Sequence, residues 1–327
     1  MLLGDIGATN ARLAVVSNGV LGTVRNFIVA DFLSFADVIR AFFGDGGRSV
    51  SEHAAVIAVA GPVKEGRCVL TNCSWSIDPH ELRQEFGFAK VNLCNDFEAV
   101  ALSLPHLTET DLFRVGEGES LPGTPMAILG PGTGLGVACL VPTAHAPVVI
   151  PSEGGHATMA ATSPREDAII DYLRRQFGHV SAERMVSGFG LENLYRALIA
   201  LDEVDAPKRV ASDITRAGLD GTCPISRMAL DLFCGMLGTI AGNVALMFGA
   251  RGGVFIAGGI APRMTDFIAH SEFRSRFENK GRFRSYLQSI PTSIIVHPAA
   301  TFIGLRSVAH GLPDTAVRLS GVGPERT

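Results

Sequence analysis

The sequence predicts an α/β protein organised as two domains. Short β-rich runs recur along it: "RLAVV", "AAVIAVAG", "VNLC", "PMAILG", "GVACLV", "GGVFIAGG" and "TSIIVH". Helical patterns separate several of them, and such alternation belongs to α/β architecture. A chain of 327 residues is long for one core and comfortable for two. A third observation is an internal echo. An apolar strand, a turn rich in small residues and a second strand occur at "LGDIGATNARLAVV" from Leu3 and again at "LGPGTGLGVACLV" from Leu129, which suggests a duplicated unit.

Among the helices, "REDAIIDYLRRQF" (165–177) places Ala168, Ile169, Tyr172 and Leu173 on one face, and "ENLYRALIAL" (192–201) reads similarly. The run "LFCGMLGTIAGNVALMFGA" (232–250) carries no charge and is nearly long enough to span a bilayer. Gly235, Gly238 and Gly242 fall at i, i+3 and i+7, which suits one face packed closely on a neighbour, so a buried core helix is expected. Loops are marked by composition. "GEGESLPGTP" (116–125) is expected to be a hinge between domains, "DEVDAPKRVASD" (202–213) a charged excursion, and the tail after Leu312 loose.

Composition excludes several classes. Apolar residues make up 47% and charged residues 18%, which rules out a disordered chain. A net charge of -4 supplies no basic field for nucleic acid or anionic lipid. Six cysteines are scattered without a CxxC pair; Cys68 and Cys73 are the nearest two, with no partner pair at zinc spacing. They read as reduced thiols of a cytoplasmic protein. Asp5 falls where a secretory signal would need a basic start and an apolar stretch.

Three glycine-rich loops carry the chemistry. "GPGTGLG" (130–136) lacks the G-x-G-x-x-G spacing and following helix of a dinucleotide fingerprint, and no Walker A loop occurs in the chain. It reads as strand–turn–strand, with clustered N–H groups suited to an anion such as phosphate; an ordinary Gly-rich hairpin fits the local sequence equally. "GDIGATN" (4–10) is a second hairpin turn, with Asp5 at the end of a strand, followed by Gly7, Thr9 and Asn10. A carboxylate beside an anion loop requires a cation between them, and Mg²⁺ held through water meets that need; the plainer reading is an Asx-type turn. "GGVFIAGGI" (252–260) ends in Gly258 and Gly259, where backbone could approach a flat ring or simply turn from strand to helix.

Polar residues stand out singly. In "VNLCNDFEAVALSL", Asn95 followed by Glu98 fits a capping box at a helix start, and Asp96 reads either as part of that start or as a base. Glu153 and His156 sit in the loop "PSEGGHATMA", without the second histidine of a metal motif. In "HVSAERMV", Ser181 reads as an N-cap with Glu183 in the first turn, where the helix dipole favours it.

In this order the three loops resemble the sugar kinase, heat-shock chaperone and actin superfamily of ATPases, and more closely the ATP-dependent glucokinases of bacteria. The resemblance runs from "LGDIGATN" through "NDF", "GPGTGLGV", "EGGH", "HVSAERMVSGFGL", "GGVFIAGGI" and "FENKGRF" to "IIVH". It implies a two-domain actin-like ATPase (ribonuclease H-like) fold with an interdomain cleft. The domains would be 1–108 with 298–312, and 109–297. It also implies transfer of the γ-phosphoryl group of Mg-ATP to the 6-hydroxyl of glucose by a cytoplasmic homodimer. Position by position, Gly4, Asp5, Ile6, Gly7, Ala8, Thr9 and Asn10 resemble the first phosphate segment, with Asp5 holding Mg²⁺ through water. Gly132, Thr133 and Gly134 resemble the second, and Gly258 and Gly259 the adenosine segment. Asn95, Asp96, Glu153, His156 and Glu183 would hold the sugar, with Asp96 as the base.

Two departures matter. Gly7-Ala8 replaces the usual Gly-Gly, which would strain the loop if position 8 needed positive φ. Only four residues precede Asp5, so the first strand is expected to be short. Three carboxylates, one Asn and one His suit a molecule made of hydroxyls. A kinase for another hexose and an acyl-phosphate-forming kinase share these features. A sugar-sensing regulator would add a DNA-binding segment and lack the base.

Overall fold

The computed structural model describes residues 1–44, 54–61, 63–70 and 75–310; Cys73 and the tail beyond Leu312 lie outside the described residues. The chain opens with a hairpin of β1 (Leu2–Ile6) and β2 (Asn10–Ser17), then β3 (Val20–Leu21), β4 (Arg25–Ile28) and α1 (Phe35–Phe43). After β5 (Ala54–Val59), a small three-stranded sheet of β6 (Val63–Lys64), β7 (Arg67–Val69) and β8 (Ser76–Ile77) leads to α2 (Pro79–Phe86), β9 (Lys90–Asn95) and α3 (Asp96–Ser103). The first large sheet runs β3-β2-β1-β5-β9, with β4 also on β2. β1, β5 and β9 are parallel. The central strand "AAVIAV" is apolar throughout and almost entirely buried, as a parallel strand covered on both faces must be.

The second half carries β10 (Leu112–Arg114), β11 (Met126–Pro131), β12 (Leu135–Val141), β13 (Val148–Ser152), α4 (Pro164–Phe177), α5 (Gly188–Leu201), α6 (Ala211–Leu219) and α7 (Pro224–Phe248). It continues with β14 (Gly253–Ile256), α8 (Thr265–His270), α9 (Phe273–Glu278), α10 (Arg284–Gln288), β15 (Thr292–Ile295) and α11 (Ala300–His310). Its sheet runs β10-β15-β14-β11-β12-β13. The echo in the sequence is thus two antiparallel hairpins, β1–β2 and β11–β12, one in each large sheet. Helix boundaries follow local chemistry. Ser163 caps α4 by accepting from Glu166 N, Pro164 opens the helix, and Arg174 and Arg175 lie in its last turn, where the dipole favours cations.

Among the described residues, α7 is the one helix long and apolar enough to cross a membrane, and most of it is buried inside the protein. Its glycines make that possible. A β-carbon on Gly238 would overlap Phe273 O of α9, and one on Gly242 would stand 2.5 Å from Phe277 O. The buried ion pair of Arg276 with Glu166 (2.7 Å) ties α9 to α4.

The chain crosses between the sheets at 104–111, earlier than the hinge expected at 116–125. β10 already pairs with β15, and Glu119 N and Leu121 N donate to Ser289 O and Arg251 O within the second unit. The return crossing ends in α11, which packs on α3 and on the first sheet. Phe302 and Leu305 join Leu3, Val56 and Ala99 in one buried cluster. Gly304 lies so close to Ala99 O that no side chain fits there.

Candidate active site

The parallel strands of each sheet end on the same edge, where ligands of open α/β sheets bind. In the first sheet Ile6 pairs with Val59, and Val59 with Asn95. This registers the turn after β1 with the N-terminus of α3. That turn closes through Gly7 N donating to Asn10 O at 2.9 Å, and leaves Thr9 and Asn10 exposed. Ala8 does not adopt positive φ, so the Gly-to-Ala departure costs no backbone strain.

Asn95 caps α3. Its Oδ1 accepts from Phe97 N (2.9 Å) and Glu98 N (3.3 Å), and Glu98 reaches back to Asn95 N, completing a capping box. The cap spends Oδ1, and Nδ2 donates to Gly61 O at 3.5 Å, which leaves its second N–H as the group Asn95 can offer a ligand. Asp96 is the first helical residue and half-buried. Its Oδ1 accepts from Phe97 N at 2.9 Å. Burial first, then the charge of Asp5, with a smaller push from Glu153, raises its pKa to about 7. Asp5 and Glu153 therefore both stand within electrostatic reach of Asp96.

Glu153 and His156, three residues apart in one loop, meet Glu183 from a later turn. His156 Nε2 lies 3.9 Å from Glu153 Oε2, and its Nδ1 lies 3.8 Å from Glu183 Oε1. Glu183 is not in a helix. Ser181 caps only a turn, with Arg184 N on its Oγ, and α5 begins after Ser187, which accepts from Gly190 N. The helix-dipole account of Glu183 therefore fails. Instead its Oε2 accepts from Leu135 N at 2.9 Å, which braces the glycine turn of the β11–β12 hairpin. A β-carbon on Gly134 would stand 2.5 Å from that oxygen.

The hairpin turn is fixed from several sides. Gly132 O accepts from Gly188 N (2.8 Å) at the start of α5. Gly258, with φ +85°, lies against Pro131 O too closely for any side chain. The two glycine segments so come together, and Gly132, Thr133 and Gly259 line a cavity of about 530 Å³ whose wall also includes Phe189, Ser212, Thr215, Arg216 and Arg263. The sequence reading missed this wall, because it took 202–213 as a loop whereas α6 starts at Ala211. It also missed Phe97, whose ring fills the space over Gly130 and Gly136.

A family model described as Glucokinase matches residues 2–312. The glucokinase of Paramagnetospirillum magneticum is 47% identical over 309 residues, covering 93% of this chain and 96% of its own length.

The chain belongs to the bacterial glucokinase family.

Among solved structures, a glucokinase from an Antarctic psychrotroph aligns with a TM-score of 0.82 at 35% identity, covering 95% of this chain and 98% of that one. The glucokinase of Balamuthia mandrillaris, solved in complex with glucose, shares the fold with a TM-score of 0.78 at 22% identity, over 95% and 93% of the two chains. The two-sheet architecture is thus the actin-like ATPase fold of glucokinases.

In this glucokinase fold the cation beside Asp5 is Arg12. The two face each other across the hairpin and form an ion pair on Asp5 Oδ2, while Arg12 Nη1 donates to Pro298 O at 3.0 Å. The charge of Asp5 alone therefore does not require a metal. Asp5 Oδ1 remains as a hard oxygen donor, and Mg²⁺ needs little more from protein when phosphates and waters complete its shell. Among the described residues no cluster of three or more His, Cys, Asp or Glu could form an all-protein metal site.

Proposed function

We propose that Asp96 accepts the proton of the glucose 6-hydroxyl as that oxygen takes the γ-phosphoryl group of ATP, giving glucose 6-phosphate and ADP. One observation supports this most: Asp96 stands at the N-terminus of α3, on the strand edge that carries the first glycine hairpin, where burial and the charges of Asp5 and Glu153 raise its pKa to about 7. A base works best when its pKa lies near the working pH. Phosphoryl transfer asks mainly for positioning and charge neutralisation. Glu153, His156, Glu183 and the Asn95 amide hold the sugar hydroxyls. The turns at Gly4 to Asn10 and Gly132 to Gly134 hold the phosphates through Thr9, Asn10, Thr133 and the N–H groups that the turns leave free, Gly7 N and Gly132 N being taken by Asn10 O and Gly134 O; Gly258 supports and Gly259 lines the cavity that takes the adenosine. Asp5 would hold Mg²⁺ through water, and the ion when bound would supply neutralisation of phosphate charge.

Glu153 and His156 are largely exposed, with side chains 76% and 61% accessible. In this reading, residues 1–108 with 298–312 close on 109–297 over the sugar and exclude water. The enzyme works in the cytoplasm, as a homodimer. A coupled assay of ADP release against a panel of hexoses tests the proposal. It predicts turnover that depends on the sugar and is greatest with glucose; ADP release indifferent to sugar would refute it.

A further inference from the structure

Phe189 lines the cavity beside Gly132, Thr133 and Gly259 with a side chain that is 62% exposed. A single exposed phenylalanine is ordinary on a protein surface. This one is held by a tight frame. Gly188, just before it, donates its N–H to Gly132 O at 2.8 Å. Gly190, just after it, donates to Ser187 Oγ at 2.9 Å and lies against the backbone of Met185 too closely for any side chain. Ser187 Oγ in turn donates to Glu183 O at 2.8 Å. The backbone of Phe189 is thus fixed through both neighbours, and one of them is bonded to the first residue of the second glycine turn.

The core side of α5 buries Leu191, Leu194, Tyr195 and Leu198. Phe189 and Glu192, one turn apart, line the cavity instead. Glu192 Oε1 accepts from Ala211 N at 3.0 Å, which ties the start of α6 to α5. α6 then lends the cavity Ala211, Thr215 and Leu219 from a single face, and Ile260 adds apolar surface next to Gly259. Thr215 Oγ1 spends its proton on Ala211 O at 2.9 Å. Apolar and aromatic walls with few polar groups are the usual lining for a small flat ligand. Among the described residues no second aromatic ring, arginine or lysine stacks on Phe189, so its π-face is open to a heteroaromatic base.

We propose that Phe189 is the stacking platform for the nucleobase of the phosphoryl donor. The inference rests on the reading that this cavity takes the adenosine. Because Gly188 joins the ring's backbone to Gly132, a base seated on the ring has its phosphates led toward the turn at 132–134. Every base has a π-face, and stacking is tolerant of which base it is. Phe189 therefore selects for a donor that carries a base over one that carries none.

The test uses the full-length protein and two probes that compete with ATP, ADP and inorganic tripolyphosphate, the second having no base. In Phe189→Ala the inhibition constant of ADP should rise about tenfold, the scale of one base–aromatic stack, and the KM for ATP should rise with it. The inhibition constant of tripolyphosphate should stay as it is in the unmodified protein. Phe189→Tyr should restore the affinity for ADP, and Phe189→Leu, which keeps apolar bulk without a ring, should not. An unchanged ADP constant in Phe189→Ala would overturn the proposal. So would an equal loss for ADP and tripolyphosphate, which would show that the side chain only props the glycine turn; either result leaves the nucleotide reading of the cavity standing. Unmodified protein on which ADP does not compete with ATP would overturn that reading and the proposal together.

Discussion

The ring of Phe97 occupies the space that a β-carbon on Gly136 would need. Phe97 follows Asp96 at the start of α3, the helix that leaves the first sheet after β9, and Gly136 lies in β12 of the second sheet, on which α3 also packs. The contact therefore sets how far the base stands from the second glycine hairpin. Gly136→Ala is expected to displace the ring and lower kcat by about 10²-fold, the scale on which a misplacement of about 1 Å acts. Steady-state kinetics alongside Tm separates this from general damage. An unchanged kcat would show that the contact only fills space.

A base with a pKa of about 7 is ionised above that pH and protonated below it. The free-enzyme profile of kcat/KM should therefore be flat above about pH 7 and fall tenfold per unit below it. The acid limb should vanish from the residual activity of Asp96→Asn. An acid limb near the ordinary carboxylate range would contradict the influence of burial and Asp5.

The same shift makes a stability prediction of definite sign. The folded-state pKa of Asp96 lies above its ordinary value of 3.8, so the native state binds more protons than the unfolded one between about pH 4 and pH 7. Stability from this group is present below about pH 4 and is lost as pH rises through about 7. Asp96→Asn should thus raise Tm at pH 8 and leave it nearly unchanged at pH 4. A Tm gain of the same size at both pH values would rule out ionisation as the cause.

The glycines of α7 are not equivalent. A β-carbon on Gly238 meets backbone at Phe273 O, whereas on Gly235 its nearest neighbour is a side-chain atom, Arg276 Nη1 at 3.3 Å, which has to give by only a few tenths of an ångström within its ion pair with Glu166. Gly238→Ala should cost about 1–3 kcal/mol through overpacking. Gly235→Ala should be tolerated, because alanine favours helix. Thermal unfolding of the two variants checks the contrast.

How much of this was legible follows the range of the interactions. Strand runs, the buried glycine face of α7 and the Asn95–Glu98 capping box are local, and each is found where the sequence placed it. The hinge at 116–125 was misplaced because turn composition marks a loop without saying which sheet holds its ends. Arg12 was readable and missed: a hairpin turning at Gly7–Thr9 sets residue 5 opposite residue 12, so the cation beside Asp5 was in the sequence. Glu183 was assigned to a helix start because Ser181 resembles a cap. Its bond to Leu135 N spans 48 positions, and no local pattern records it. The cavity wall from Phe189 to Arg216 belongs to the same class of long-range fact.

In the proposed mechanism everything turns on Asp96 as the proton acceptor. Its most direct test is glucose-dependent ADP formation by Asp96→Asn, measured beside nucleotide binding to the same preparation. Turnover should fall by about 10²–10⁴-fold, with nucleotide affinity and far-UV circular dichroism as in the unmodified protein. Turnover within about threefold of the unmodified protein, a cost far below that of losing a general base, would contradict the account.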